Sequence, residues 1–187
     1  FHPAMKFVAP IRADLQARTI FNNLGPLTNP AGADRQLMGV YSPELTEPLA
    51  AVLRGLGLKR ALVVHGAGLD DFGIRGASKV TELLPDGSTR TFEVTPEDVG
   101  LTTHPLAEVA GGGPAHNAEQ LRLVLEGSLV GAGAEAKREL VLFNAGAALY
   151  LADVAASLRE GVELARESLE NGAALGKLEQ YLEFSNA

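Results

Sequence analysis

Residues 61–71 have the sequence ALVVHGAGLDD, a short apolar run followed by glycines and two aspartates. A second continuous apolar run, LMGVY, occupies residues 37–41. Short apolar runs of this kind are typical of strands that are buried on both faces, as in parallel sheets. We therefore predict an α/β fold with a central, mainly parallel sheet that is flanked by helices.

The segment between the two runs has the periodicity of a helix that packs on the sheet. Ser42 is a candidate N-cap, Pro43 would take the first helical position, and Gly57 suits the C-terminal end. Because Pro48 lies inside the segment, we expect it to delay or kink the helix. The apolar residues at helical spacing are Leu45, Leu49, Val52, Leu53 and Leu56.

The rest of the chain is predicted to form a β-hairpin and then helices. Residues 79–84 and 89–94 flank the turn sequence PDGS. A chain of 187 residues is expected to form one domain, residues 1–187. Four helices are predicted around residues 121–125, 140–154, 162–169 and 178–182.

Composition narrows the class of protein. Lys and Arg number 16 against 23 Asp and Glu, and the net charge of −7 argues against a nucleic-acid-binding surface. The absence of cysteine excludes a disulfide framework, and the histidine spacings do not fit a zinc site. No apolar run reaches membrane-spanning length and no signal peptide is visible, so we expect a cytoplasmic protein without a membrane partner.

Asp70 and Asp71 are candidate metal ligands. They follow a predicted buried strand, and ligand sites of open parallel sheets lie at the carboxyl ends of the strands. Gly66 and Gly68 allow a sharp turn there, and paired carboxylates can bind Mg²⁺ together with substrate phosphates. The alternative is a solvated turn, because Asp and Gly are common turn residues.

The N-terminal 30 residues contain three candidate binding residues. Arg12 can pair with a carboxylate through two parallel hydrogen bonds, although most arginines are simply exposed. His2 precedes a proline and is either a binding group or an unconstrained terminal residue. Pro26 lies in the segment from Arg18 to Pro30, which is too rich in Gly, Pro and Asn for one regular helix or strand. We expect a fixed irregular path there, with Pro26 as either an apolar wall or a structural turn.

Three blocks of the sequence resemble anthranilate phosphoribosyltransferases. They are His2-Pro3-Ala4-Met5-Lys6 leading to Arg12, the segment from Arg18 to Pro30, and Leu62-Val63-Val64-His65-Gly66 followed by Gly68-Leu69-Asp70-Asp71. One departure is visible, because the family has Asp-Glu where this chain has Asp70-Asp71. The resemblance implies the α/β large domain of nucleoside phosphorylases and phosphoribosyltransferases.

The resemblance also implies a reaction, the second step of tryptophan biosynthesis. A phosphoribosyl group passes from phosphoribosyl pyrophosphate to anthranilate, giving N-(5-phosphoribosyl)anthranilate and pyrophosphate. Arg12 would bind the anthranilate carboxylate, His2 and Pro26 would contact its ring, and Asp70 and Asp71 would hold Mg²⁺. No catalytic acid or base is assigned, because the amino group of anthranilate is neutral near pH 7 and no Ser-His-acid pattern is visible.

The family's N-terminal helices and its Gly-Thr-Gly-Gly-Asp loop for phosphoribosyl pyrophosphate are not found in these 187 residues. We therefore expect a C-terminal portion of the large domain that is inactive alone and belongs to a homodimer when intact. Two alternatives stay open at this point. One is an enzyme like pyrimidine nucleoside phosphorylase, and the other is a non-catalytic binding module derived from this fold.

Overall fold

The computed structural model describes residues 3, 5–17 and 19–186, except for the side chain of Met5. The chain divides into two units, Phe1–Asp34 and Arg35–Ala187. The first unit contains helices α1 (Met5–Leu15) and α2 (Phe21–Leu27). The second contains β1 (Arg35–Gly39), α3 (Thr46–Gly55), β2 (Arg60–Gly66), β3 (Ser78–Leu83), β4 (Thr89–Val94), α4 (Pro114–Leu125), α5 (Ala134–Leu151), α6 (Leu158–Glu170) and α7 (Ala173–Asn186).

The sheet of the second unit is mixed, with strand order β1-β2-β3-β4. β1 and β2 are parallel, with Leu37 beside Leu62, whereas the β2–β3 and β3–β4 pairings are antiparallel. The α/β class and the flanking helices are confirmed, but the expectation of a mainly parallel sheet is wrong for this chain. The reason is the β2–β3 connection, which contains no crossover helix, so the chain returns antiparallel.

Burial on both faces, rather than parallel pairing, explains the apolar run of β2. Leu62 and Val64 pack in one cluster with Phe143 of α5 and Val162 of α6. Residues 61 and 63 are equally buried and alternate with them, so they face the opposite side, where α3 contacts β2 and β3. A strand between two layers of helices needs apolar side chains at every position, whatever the direction of its neighbours.

The helix between β1 and β2 begins later than its sequence pattern. Pro43–Leu45 form a 3₁₀ turn, and α3 starts at Thr46. Pro48 therefore lies in the first turn of α3, where its missing N–H would have no helical partner, and the expected delay is confirmed. Gly57 has a φ of 88° and ends this segment as predicted.

The hairpin and the C-terminal helices are also confirmed. β3 and β4 are antiparallel and are joined by a turn in which the Gly87 N–H donates to the Leu84 carbonyl at 2.9 Å. α5 and α6 approach closely, because a β-carbon on Gly161 would lie only 2.2 Å from the Gly146 carbonyl oxygen. In the described part of the chain, no helix has the length and apolar character needed to cross a membrane.

The segment from Arg18 to Pro30 is more regular than expected. Phe21–Leu27 form the short helix α2, so the expected irregular path is wrong for these 7 residues, although the whole segment is not one helix. In its first turn, the Asn22 Oδ1 atom accepts a hydrogen bond from the Thr19 N–H at 2.9 Å. Pro26 stands one residue before the end, where its ring removes a single helical hydrogen bond. Arg18 lies outside the described residues.

A charged network fixes the C-terminal end of α5 to the sheet. Glu82 of β3 is fully buried and accepts hydrogen bonds from Arg60 (3.0 Å), Arg90 (2.8 Å) and the Tyr150 hydroxyl (2.8 Å). Arg60 also pairs with Asp153, just beyond α5, and lies over the Tyr150 ring. These groups anchor α5 at the end of the sheet where β1 and β2 begin.

Candidate functional site

The two candidate metal ligands lie in a tight loop directly after β2, which we call the acidic loop (residues 67–71). Gly66 and Leu69 exchange backbone hydrogen bonds at 3.0 Å in both directions. The turn between them passes through Ala67 and Gly68, which have φ values of 47° and 109°. Both aspartates follow the turn and are exposed, so their carboxylates are accessible to a ligand.

Two strand glycines hold the backbone of the acidic loop against the sheet. A β-carbon on Gly39, the last residue of β1, would lie 1.5 Å from the Asp70 carbonyl oxygen. A β-carbon on Gly66, the last residue of β2, would lie 2.2 Å from the Asp71 carbonyl oxygen. The acidic pair therefore packs on the carboxyl ends of the two parallel strands, as the sequence predicted.

Helix α5 holds the residue that follows the acidic pair. The Phe72 N–H donates to Asn144 Oδ1 at 3.0 Å, and Asn144 Nδ2 donates to the Phe72 carbonyl at 3.1 Å. The Phe72 side chain is fully buried, with its ring centroid 4.6 Å from that of Phe143. The chain therefore enters the core directly after the acidic loop, at Phe72. Helix α5 fixes both the backbone and the ring of this residue.

The electrostatics of the acidic loop favour a bound cation. Although Asp71 is exposed as a residue, partial burial of its carboxylate raises its pKa, and the negative charge of Asp70 raises it further. Among the described residues, the ion pairs involve neither carboxylate. A divalent cation between the two carboxylates would relieve their repulsion and favour the ionised form of both.

The donor set fits a metal ion that takes few protein ligands. Within the described ranges, no group of three or more His, Asp or Glu side chains could enclose a metal. Mg²⁺ usually binds one or two carboxylates and completes its coordination with water and substrate phosphates. Asp70 and Asp71 therefore fit Mg²⁺ and do not fit a structural zinc site, which needs four protein ligands.

Arg12 lies on α1 in a shallow depression of the first unit, where it is half-buried. Asn22 of α2 borders the same depression, so the structure brings together a guanidinium and an amide. This combination can bind a carboxylate through charge-assisted hydrogen bonds. The lining residues are Ala9, Arg12, Ala13, Gln16, Ala17 and Asn22.

The other two candidate binding residues are not placed with Arg12. Pro26 is half-buried in the last turn of α2 and is absent from the lining of the depression. His2 lies outside the described residues. The roles of Arg12, His2 and Pro26 in binding therefore stay predictions.

His65 supports the site rather than facing an open cleft. Its Nδ1 atom lies 2.9 Å from the Val40 carbonyl oxygen, which requires a proton on Nδ1 for a hydrogen bond. The bond joins the carboxyl end of β2 to the residue after β1, next to the acidic loop. His65 therefore supports the backbone beside the acidic loop.

The sequence analysis predicted a helix around residues 140–154 but assigned no contact to Asn144. The missed signal was a polar residue at helical spacing from Ala147 and Leu151, which are buried on the inner face of α5. A polar side chain at such a position has to find a hydrogen-bond partner. Its partner is the Phe72 peptide, 72 residues earlier, and no local pattern could reveal that pairing.

Comparison with known proteins identifies the family. Residues 1–175 match the glycosyl transferase family, a/b domain, and the chain belongs to this family. It is similar to the anthranilate phosphoribosyltransferase of Natronomonas pharaonis, with 52% identity over 185 residues, which are 98% of this chain and 54% of the relative. The resemblance to this group of enzymes is confirmed, and the chain spans about half the length of the curated relatives it matches.

Solved structures show the same relationship. The crystal structure of anthranilate phosphoribosyltransferase from Thermus thermophilus matches with a TM-score of 0.87 and 48% identity, over 100% of this chain and 54% of that one. The enzyme from Saccharomyces cerevisiae in complex with PRPP and Mg matches with a TM-score of 0.85 and 32% identity, over 98% and 52%. The same enzyme has been solved with 4-fluoroanthranilate, with a TM-score of 0.87, 31% identity and the same coverage.

Proposed function

We propose that this chain is the anthranilate- and metal-binding portion of an anthranilate phosphoribosyltransferase. The whole enzyme would transfer a phosphoribosyl group from phosphoribosyl pyrophosphate to anthranilate, with release of pyrophosphate. The observation that carries the proposal is the acidic pair packed on Gly39 and Gly66 at the carboxyl ends of β1 and β2. Relatives that have been solved with PRPP and Mg and with 4-fluoroanthranilate support it.

Asp70 and Asp71 are the residues that would hold Mg²⁺. When bound there, the ion supplies charge neutralisation for the departing pyrophosphate. The chain itself contributes the position of the two carboxylates, because their backbone is fixed by the strand ends and by Phe72. A fixed pair can hold pyrophosphate in line with the sugar, which is a positional contribution to the rate.

Arg12 would bind the carboxylate of anthranilate. Its guanidinium offers two parallel donors, and Asn22 adds an amide on the same depression. Pro26 and His2 would contact the aromatic ring, which a rigid proline ring can do at small entropic cost. The amine of anthranilate is neutral and is held toward the sugar carbon, so the reaction needs no general base. We therefore assign that role to none of these residues.

Residues 1–187 would then form part of the catalytic α/β domain of a cytoplasmic homodimer. The decisive material is a joined enzyme, in which this chain replaces the matching 54% of the Thermus thermophilus relative. We expect turnover of anthranilate and phosphoribosyl pyrophosphate in the presence of Mg²⁺, measured as loss of anthranilate. The chain alone should show none, because its 187 residues contain no Gly-Thr-Gly-Gly-Asp loop for the phosphates.

The remaining outcomes separate the alternatives. Phosphorolysis of a pyrimidine nucleoside by the joined enzyme, without turnover of anthranilate, would favour the nucleoside phosphorylase reading. A joined enzyme that unfolds cooperatively, binds anthranilate and turns over neither substrate pair would favour a binding module. Turnover by the chain alone would contradict the division of the site proposed here.

A further inference from the structure

We infer that Asn144 is a positioning residue for the metal-binding carboxylates, acting through the backbone of Phe72. The inference rests on the proposed function of Asp70 and Asp71. Asn144 stands in the middle of α5 and touches neither carboxylate; its partner is the peptide that leaves the acidic loop. No residue in the acidic loop makes a comparable pair of bonds with a side chain of α5.

The geometry of the Asn144 amide is fixed by three hydrogen bonds. Oδ1 accepts from the Phe72 N–H at 3.0 Å, while Nδ2 donates to the Phe72 carbonyl at 3.1 Å and to the Leu140 carbonyl at 3.0 Å. A flipped amide would place its oxygen against two carbonyl oxygens, so only one orientation satisfies all three groups. The side chain therefore pairs with Phe72 as a neighbouring strand would, and it cannot rotate freely.

The hydrogen bonds between Asn144 and Phe72 control the orientation of the Asp71 carboxylate. The Phe72 nitrogen belongs to the peptide that joins Asp71 to Phe72, and the carbonyl of that same peptide packs on Gly66. The peptide is thus held from α5 on one side and from β2 on the other. Any rotation of it changes the backbone torsion of Asp71 and moves the carboxylate relative to Asp70.

The hydrogen bonds between Asn144 and Phe72 can fix the loop only if α5 itself is held in place. Contacts outside the acidic loop anchor α5. Tyr150, near the end of α5, donates its hydroxyl hydrogen to buried Glu82 at 2.8 Å. Glu139, five residues before Asn144, is buried and accepts from the Thr102 N–H at 2.8 Å and pairs with His104 at 2.9 Å. Asn144 is therefore held on both sides along α5.

The test compares Asn144→Ala with Asn117→Ala in the joined enzyme. Asn117 is a matched control, because its Oδ1 accepts from the Gly112 N–H at 2.7 Å and its Nδ2 donates to the Gly112 carbonyl at 3.0 Å. Residues that orient metal ligands typically change metal affinity by roughly 10–100-fold, so Asn144→Ala should raise the Mg²⁺ concentration for half-maximal rate by about tenfold. The KM for anthranilate should stay within about twofold of wild type, and Asn117→Ala should leave the Mg²⁺ requirement unchanged.

A second readout does not depend on turnover. Binding of Mn²⁺ in the presence of inorganic pyrophosphate, followed by electron paramagnetic resonance, should weaken in Asn144→Ala and not in Asn117→Ala. Asn144→Gln retains both the amide acceptor and the amide donor but displaces them by one methylene, and it should show an intermediate loss. This variant serves in the same measurements if Asn144→Ala does not fold.

Asp71→Asn separates failure of the inference from failure of the proposed function. If Asp71→Asn leaves both Mn²⁺ binding and the Mg²⁺ requirement unchanged, the metal site itself is wrongly assigned. If Asp71→Asn weakens both while the Asn144 variants match wild type, the metal site stands and the positioning role is wrong. Equal loss of thermal stability in the Asn144 and Asn117 variants, with unchanged metal binding, would likewise reduce Asn144 to a structural residue.

Discussion

The carbonyl of Asp70 occupies the space where Gly39 would carry a side chain, since a β-carbon there would lie 1.5 Å from the Asp70 oxygen. No rotamer change can relieve this contact, because both partners are backbone. The position of Asp70, the first candidate metal ligand, therefore depends on the absence of a side chain at the end of β1.

Gly39→Ala should displace the acidic loop and destabilise the fold. Overpacking in a well-packed region costs roughly 1–3 kcal/mol, and a contact this short belongs at or above the upper end. Gly76→Ala is the control, because nothing lies within 4 Å of its β-carbon and its φ is not positive. Urea unfolding of both variants measures the difference, and equal stabilities would contradict the described contact between Gly39 and Asp70.

Arg12→Ala should weaken binding of anthranilate more than binding of phosphoribosyl pyrophosphate. Truncating one partner of a buried charge pair costs roughly 2–5 kcal/mol, and the half-buried Arg12 belongs at the lower end, about a thirtyfold rise in KM. Gln16→Ala alters the same depression without removing a charge and is the control. Steady-state kinetics of the joined enzyme measure both; an unchanged KM for anthranilate would remove Arg12 from the site.

Asp71→Asn should stabilise the metal-free protein at neutral pH. Because the pKa of Asp71 is raised by burial and by Asp70, the folded protein binds this proton more tightly than the unfolded chain. The free energy of unfolding therefore falls as pH rises from the ordinary pKa to the raised one, and the deficit persists above it. Asparagine carries no charge, so the variant does not lose this free energy of unfolding. It should have a higher melting temperature than wild type at pH 7 in the presence of a chelator.

In acid, below the ordinary pKa, wild type and Asp71→Asn should melt at similar temperatures because both then carry a neutral group. Asp86→Asn provides a control of opposite sign, since hydrogen bonds from Ser88 lower the pKa of Asp86 and its charge favours the folded state. Differential scanning calorimetry across this pH range measures all three proteins. A lower melting temperature for Asp71→Asn at pH 7 would show that its carboxylate is not destabilised in the fold.

Glu82→Ala should be the most destabilising of these changes. It would remove the buried carboxylate partner of Arg60, which is 6% exposed and would keep only its pair with the exposed Asp153. Loss of one partner of a buried ion pair costs roughly 3–5 kcal/mol. Glu47→Ala is the control, because its pair with Lys79 lies at the surface and such pairs contribute about 0–1 kcal/mol. Chemical denaturation compares them, and a small effect of Glu82→Ala would contradict a stabilising network around α5.

Local patterns predicted the elements of this fold well and their pairing less well. The apolar run of β2 correctly indicated a strand buried on both faces, but burial does not distinguish a parallel neighbour from an antiparallel one. The helix α2 was missed because Gly25 and Pro26 suggested a break, whereas Pro26 comes near the end of the helix and removes one hydrogen bond.

The candidate site divides in the same way. The turn and the two aspartates are adjacent in sequence, so their location after β2 could be predicted from residues 61–71 alone. What holds them could not, because Gly39 is 31 residues before Asp70 in sequence and Asn144 is 72 residues after Phe72. Contacts of this range depend on how the elements pack, and a single sequence gives no pattern for them.

The buried network around Glu82 and the acidic loop occupy opposite ends of β2, and this separation has a consequence for how the protein can be altered. The buried ion pair of Arg60 and Glu82 lies near the beginning of β2, while the exposed carboxylates available to a ligand follow its end. Exchange of the exposed Asp71 side chain, for example for glutamate, would therefore leave the buried pairs of Glu82 in place. The charge and length of the acidic side chains can thus be changed without altering the ion pairs that hold α5 to the sheet.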